Sequence, residues 1–93
     1  MSTATKSTTA TRHLSTIANE ILKDFRLKAN WRQVYGHAIP YLQAMQSMNK
    51  ITDTYGADSG KMIVNYFLCN ATTWRGEVAR NIKKELNTMV KSK

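Results

Sequence analysis

The sequence predicts an all-α fold: a compact bundle of four helices, the second kinked at Pro40, behind a disordered N-terminal tail. Three observations predict it. Apolar residues recur at helical spacing in four stretches separated by turn residues. No segment alternates with period two long enough for a convincing strand. The chain has 93 residues, 42% of them apolar, which is material for one domain with one modest core.

Residues 1–10 are rich in Ser and Thr and lack large side chains. They cannot recover the entropy of ordering and are expected as a loose tail. Residues 11–93 are expected as a single helical domain. The first helix is predicted from about Thr11 to Lys28, with Leu14, Ile17, Ala18, Ile21, Leu22 and Phe25 on one face. Glu20–Lys23 and Asp24–Lys28 are favourable helical pairs. Asn30 is a good N-cap for a second segment, whose apolar set reads Trp31, Val34, Tyr35, Ala38, Leu42, Met45. Pro40 lies inside it and removes a hydrogen bond to Gly36. The segment is either one kinked helix to about Asn49 or two short ones meeting near His37. The kink is preferred, because the apolar register stays in phase.

Asp53, Gly56, Asp58 and Gly60 supply turn chemistry to a connection over residues 51–60. The third helix is predicted from Asp58 or Ser59 to Asn70. Met62, Ile63, Val64, Tyr66, Phe67, Leu68 and Cys69 make it apolar nearly all round, which predicts the central, most buried helix. Thr72 or Thr73 is expected to cap a fourth helix running from Trp74 to about Val90. The predicted core sets Ile63, Val64, Phe67 and Leu68 against Ile17, Ile21, Phe25, Leu42, Val78, Ile82 and Leu86. The chain has no internal repeat; the pairs Trp31-Arg32 and Trp74-Arg75 share no further similarity.

Charge narrows the function. The formal net charge is +8 and the pI near 9.9. Such a chain is attracted to phosphate-rich surfaces. One cysteine, Cys69, cannot form an internal disulfide, which fits a reducing cytosol. Residues 1–10 hold no apolar signal region and no apolar run reaches a membrane span. The expectation is a cytoplasmic protein, intracellular in a host cell.

Catalytic constellations are missing. Gly56-Ala57-Asp58-Ser59-Gly60-Lys61 superficially resembles a phosphate loop. Its glycines stand one residue too close, Met62 replaces the metal-binding hydroxyl residue, and no strand precedes it. His13 and His37 lie far apart without ligands at metal spacing. His37 is expected beside the Pro40 kink, satisfied by backbone or water. Cys69 among apolar neighbours reads as a buried, inert thiol. Six scattered acidic residues offer no carboxylate pair. The sequence therefore predicts no enzyme, no metal and no cofactor.

The fourth helix carries the positive signal. On a wheel of about 100° per residue, Trp74, Val78, Ala79, Ile82, Leu86, Met89 and Val90 share one face. Arg80, Lys84, Asn87 and Lys91 fall in a narrow sector opposite. Cations near the helix C-terminus also complement its dipole, which accounts for Lys91 and Lys93 but not for Arg80. Thr72-Thr73-Trp74-Arg75-Gly76 opens the helix, where free amides favour an anion and Arg75 could clamp a phosphate. Trp74 as a core anchor, with Gly76 admitting a neighbouring helix, is the favoured reading of that motif. The third and fourth helices also have the lengths of a helix-turn-helix, with Arg80, Asn81 and Lys84 facing out.

The run Tyr55-Gly56-Ala57-Asp58-Ser59-Gly60, Ile63-Val64-Asn65-Tyr66-Phe67-Leu68, Asn70-Ala71, Trp74-Arg75-Gly76-Glu77, Ala79-Arg80 and Ile82-Lys83-Lys84-Glu85-Leu86 resembles small uncharacterised proteins of bacteriophages and mobile elements. The similarity spans roughly Tyr41 to Val90. It implies a context in which small proteins bind nucleic acid, or seize a host enzyme such as a CRISPR nuclease.

The function expected first is a non-catalytic module that contacts DNA or RNA phosphates through Arg75, Arg80, Lys83, Lys84 and Lys91, with Lys23 and Arg26 as additional contacts. Neutralising about six phosphates predicts a log–log salt slope near −5. The alternative is a phage-encoded inhibitor or adaptor that docks on an acidic surface of a host protein through anchors such as Trp31, Tyr41 or Arg75. A membrane-surface helix is disfavoured, because the core occupies the apolar face of the fourth helix.

Overall fold

The computed structural model describes residues 12–91. The expected tail over residues 1–10, and Lys93, lie outside the described residues. Those residues form a mostly helical fold of five helices and a short hairpin. In order these are α1 (Leu14–Phe25), α2 (Trp31–Val34), α3 (Ile39–Met45), β1 (Thr54–Tyr55), β2 (Asp58–Ser59), α4 (Gly60–Asn70) and α5 (Glu77–Lys91).

The predicted apolar face of α1 is buried in full: Leu14, Ile17, Ala18, Ile21, Leu22 and Phe25. Two of its first-turn amides, which have no partner within a helix, are satisfied from outside. Leu14 N donates to Asn49 O at 3.0 Å and Ser15 N to Met48 O at 2.9 Å. This ties the start of α1 to the chain leaving α3. Lys28 pairs with Asp24 at 3.6 Å as its spacing predicts. Glu20 instead pairs with Arg12.

The second predicted helix is broken rather than kinked. α2 ends at Val34, a turn covers residues 35–38, and α3 begins at Ile39. Pro40 therefore sits in the first turn of α3. There its missing N–H is an orphan in any case and its fixed φ suits the helix. The apolar register stayed in phase because Tyr35, Ala38, Leu42 and Met45 all reach the core. Val34 does not; it is 51% exposed. His37 is exposed in the turn. Asn30 holds the N-cap position of α2 without a side-chain cap, and its backbone is left-handed at φ 57°. Asparagine tolerates that region better than most residues.

The hairpin was not expected. β1 and β2 pair antiparallel, Thr54 with Ser59 and Tyr55 with Asp58, too short to show alternation. Ser59 then caps α4, its Oγ accepting from Met62 N at 3.2 Å. Gly60 is required at that junction. A Cβ there would stand 2.7 Å from Ile51 O, so only glycine lets the connection pass this close.

α4 is less buried than its composition suggests. Gly60, Ile63, Val64 and Phe67 face the core. Met62 and Tyr66 are each 41% exposed, Leu68 is half-buried and Cys69 is exposed, not an interior thiol.

α5 begins at Glu77, not at a cap on Thr72 or Thr73. Trp74 precedes the helix and is 0% exposed. Its ring meets Phe25 edge-on at 5.4 Å and Phe67 at 6.1 Å. Gly76 bends the chain into α5 at φ 114°, a region L side chains avoid. A Cβ there meets nothing within 4 Å, so no neighbouring helix requires this glycine. Val78, expected in the core, is 44% exposed. Ala79, Ile82, Leu86 and Met89 supply the buried stripe of α5.

Candidate functional site

The buried stripe of α5 fixes which way its cations point. Arg80, Lys84 and Lys91 fall within a sector of about 40° on the opposite side, and all three are exposed. Arg80 and Lys91 are separated by about 16 Å along the axis, at roughly 1.5 Å per residue. Among the described residues, no ion pair involves Arg75, Arg80, Lys84 or Lys91.

The carboxylates explain why. Arg12 takes two of them. Its Nε and Nη2 donate to the two oxygens of Glu85 at 2.9 and 2.6 Å, and its Nη1 donates to Glu20. The bidentate bond to Glu85 is the main reason the guanidinium is held above its ordinary pKa; burial opposes it. Asp24 accepts from Trp74 Nε1 at 2.7 Å and pairs with Lys28. Asp53 accepts from the amides of Asn49 and Lys50 at 2.8 and 3.0 Å. Asp58 lies in the hairpin. Glu77 stands in the first turn of α5, beside the cationic sector, where it complements the helix dipole.

At the start of α5 the chain forms a depression of about 290 Å³. Trp74, Arg75, Gly76, Ala79, Arg80 and Lys83 line it, and no carboxylate does. Lys83 is set into its wall. Its Nζ donates to the Trp74 carbonyl at 2.6 Å and lies 5.8 Å from the centre of the Trp74 ring. Its pKa is lowered, first by burial and second by the charge of Arg75. Three basic side chains are therefore gathered at a depression that no carboxylate lines, with Glu77 following Gly76 in the first turn of α5. An ammonium has three donors, and one is committed to Trp74.

The structure thus brings Arg75, Arg80 and Lys83 to one depression, with Lys84 and Lys91 continuing along the helix. Lys23 and Arg26 are elsewhere. Lys23 lines a depression with Glu20, Asp24, Leu27 and Val78. Arg26 lies on the other flank of α1, beside Trp31 and Arg32. Arg32 is the basic residue the sequence reading missed.

The helix-turn-helix expectation is not met. The link from α4 to α5 covers residues 71–76, with Trp74 plugged into the core, whereas that motif turns in about 3–4 residues. Among the described residues no group of three His, Cys, Asp or Glu side chains could hold a metal ion. No helix among them is long and apolar enough to cross a membrane. Comparison of the chain with protein-family models, curated proteins and solved structures gives no match.

Proposed function

We propose that this chain is a non-catalytic binding module that grips the phosphate backbone of nucleic acid with the basic face of α5. One observation carries the reading. Arg75, Arg80, Lys84 and Lys91 are exposed without a carboxylate partner, while Glu20, Asp24, Asp53 and Glu85 are engaged elsewhere in the fold.

The spacing suits the ligand. Phosphates along one strand advance by roughly 3.4 Å, so a stripe of about 16 Å meets several in succession. Arg75 and Arg80 can fork onto phosphate oxygens, while Lys84 and Lys91 act as point charges. Contacts of this kind set affinity and position without reading sequence.

The direct test is fluorescence anisotropy with a labelled DNA duplex at low salt. Arg80→Ala/Lys84→Ala is expected to weaken binding by about tenfold or more. Unchanged affinity removes α5 as the interface.

A second reading, a phage-type inhibitor or adaptor of a host protein, has its own support. Met62 and Tyr66 lie one helical turn apart and exposed on α4, and Tyr41 packs on Tyr66 at 5.5 Å between ring centres. Exposed aromatic and Met side chains suit a protein partner. A pull-down from host lysate, with and without nuclease, separates the two. A stoichiometric protein that survives nuclease favours the second reading.

A further inference from the structure

The turn over residues 35–38 separates α2 from α3 and leaves a feature beside it. Between α1 and the α2–α3 turn runs an open groove of about 490 Å³. Its floor is apolar, formed by Leu22, Ile39 and Pro40. Arg26, at the C-cap of α1, and Trp31 and Arg32 of α2 also line it; none of the lining residues is acidic. The Arg32 guanidinium lies 5.3 Å from the centre of the Trp31 ring, so the ring holds the charge in place through a cation–π contact. Neither arginine joins an ion pair or side-chain hydrogen bond among the described residues. Gln43 and Gln46 also line the groove. Gln46 Nε2 donates to Asn19 at 3.0 Å, which leaves its carbonyl oxygen as an acceptor.

We propose that this groove is a second, single-strand-selective site of the same module. An unpaired base lies on the apolar floor against Trp31, and the flanking phosphates pair with Arg26 and Arg32. The proposal rests on the nucleic-acid reading above and gives it a substrate class.

The combination of groups selects the occupant. Two arginines without acidic neighbours call for anions. An apolar floor beside an indole calls for a flat ring, and amide edges call for a hydrogen-bonding rim. A nucleotide with its base unstacked supplies all three. Within a duplex the faces of each base are covered by its neighbours, so a duplex can offer the arginines phosphates but cannot fill the floor. A purely acidic peptide leaves the floor empty.

The test measures anisotropy with a short labelled DNA strand of mixed sequence, alone and annealed to its complement. Arg26→Ala/Arg32→Ala changes two exposed side chains and is expected to keep the fold, checked by circular dichroism. It should weaken single-strand binding by about tenfold or more and leave duplex binding within about twofold. A charge-matched control, Lys50→Ala/Lys61→Ala, should change single-strand binding by less than about threefold. Tryptophan fluorescence gives an independent readout. Because Trp74 is fully buried, quenching by the single strand and not by the duplex reports Trp31.

Equal weakening of both DNA forms by the groove variant, or no more weakening than in the control, overturns the inference and leaves the α5 reading intact. Displacement of the single strand by polyglutamate at equal charge also overturns it, because charge alone then suffices. If Arg80→Ala/Lys84→Ala has no effect while the groove variant abolishes single-strand binding, the α5 reading falls and the groove stands. Absence of binding to either form at low salt removes both.

Discussion

The indole N–H of Trp74 donates to Asp24 at 2.7 Å, joining the residue that leads into α5 to the last turn of α1. The carbonyl of the same tryptophan accepts from Lys83. One buried side chain thus fixes the start of α5, the orientation of α1 and the wall of the basic depression.

Removing this bond costs stability before it touches binding. Asp24→Ala leaves a buried indole donor unsatisfied and is expected to cost about 1–3 kcal/mol. Trp74→Ala also opens a cavity between Phe25 and Phe67 and should cost about 3–5 kcal/mol. Urea unfolding followed by circular dichroism measures both. A loss under about 0.5 kcal/mol in either would contradict this account of Trp74.

Two glycines should respond unequally. Gly60→Ala drives a methyl to 2.7 Å from the Ile51 carbonyl, with cost about 1–3 kcal/mol. Gly76→Ala meets open space and carries only the strain of its positive φ, about 1–2 kcal/mol. Thermal unfolding should rank Gly60→Ala as the less stable. The reverse order would mean that the connection over residues 50–51 yields easily.

Spacing made α1 and α5 legible in the sequence because each buries one face against one core. The Arg80, Lys84 and Lys91 sector followed from the same spacing. Three features were not legible, each for a physical reason. Pro40 is compatible with a kink inside a helix and with the first turn of a new one, and only the packing of Tyr35 and Ala38 decides. Met62, Tyr66 and Cys69 are apolar yet lie outside the sector of Ile63, Val64 and Phe67, so composition overstated the burial of α4. Trp74 fits the wheel of α5 but reaches the core from the preceding loop, which shifted the predicted start upstream and drew Val78 into the core. The engagement of Arg12 with Glu85 and Glu20 joins distant segments and could not be read from spacing.

Asp53 gives the fold a defined acid response. The amides of Lys50 and Asn49 hold its carboxylate below the ordinary aspartate value. A depressed carboxylate stabilises the folded state above its unfolded pKa, and that contribution is lost as pH falls through the folded value. The wild type should therefore be more stable than Asp53→Ala at neutral pH, and the gap should shrink as the pH falls from neutral to below the ordinary aspartate range. Urea unfolding of both proteins across that range measures it. A gap that widens in acid contradicts the assignment.

Glu77 separates binding from stability. It complements the N-terminal end of α5 but places a negative charge beside the cationic sector. Glu77→Gln should lower stability by about 0.3–1 kcal/mol and raise nucleic-acid affinity by roughly two- to fivefold at low salt. Tighter binding in a less stable protein is the signature. Weaker binding would place the interface away from α5.

The salt dependence of duplex binding tests the central claim most directly. With Arg75, Arg80, Lys84 and Lys91 neutralising phosphates, log affinity should fall with log salt at a slope of about −3.6, and about −4.5 if Lys83 joins them. That is shallower than the slope near −5 expected from six contacts. Arg80→Ala/Lys84→Ala should make the slope shallower by about 2. A slope near zero, or one that the double substitution leaves unchanged, would contradict α5 as the phosphate-binding face.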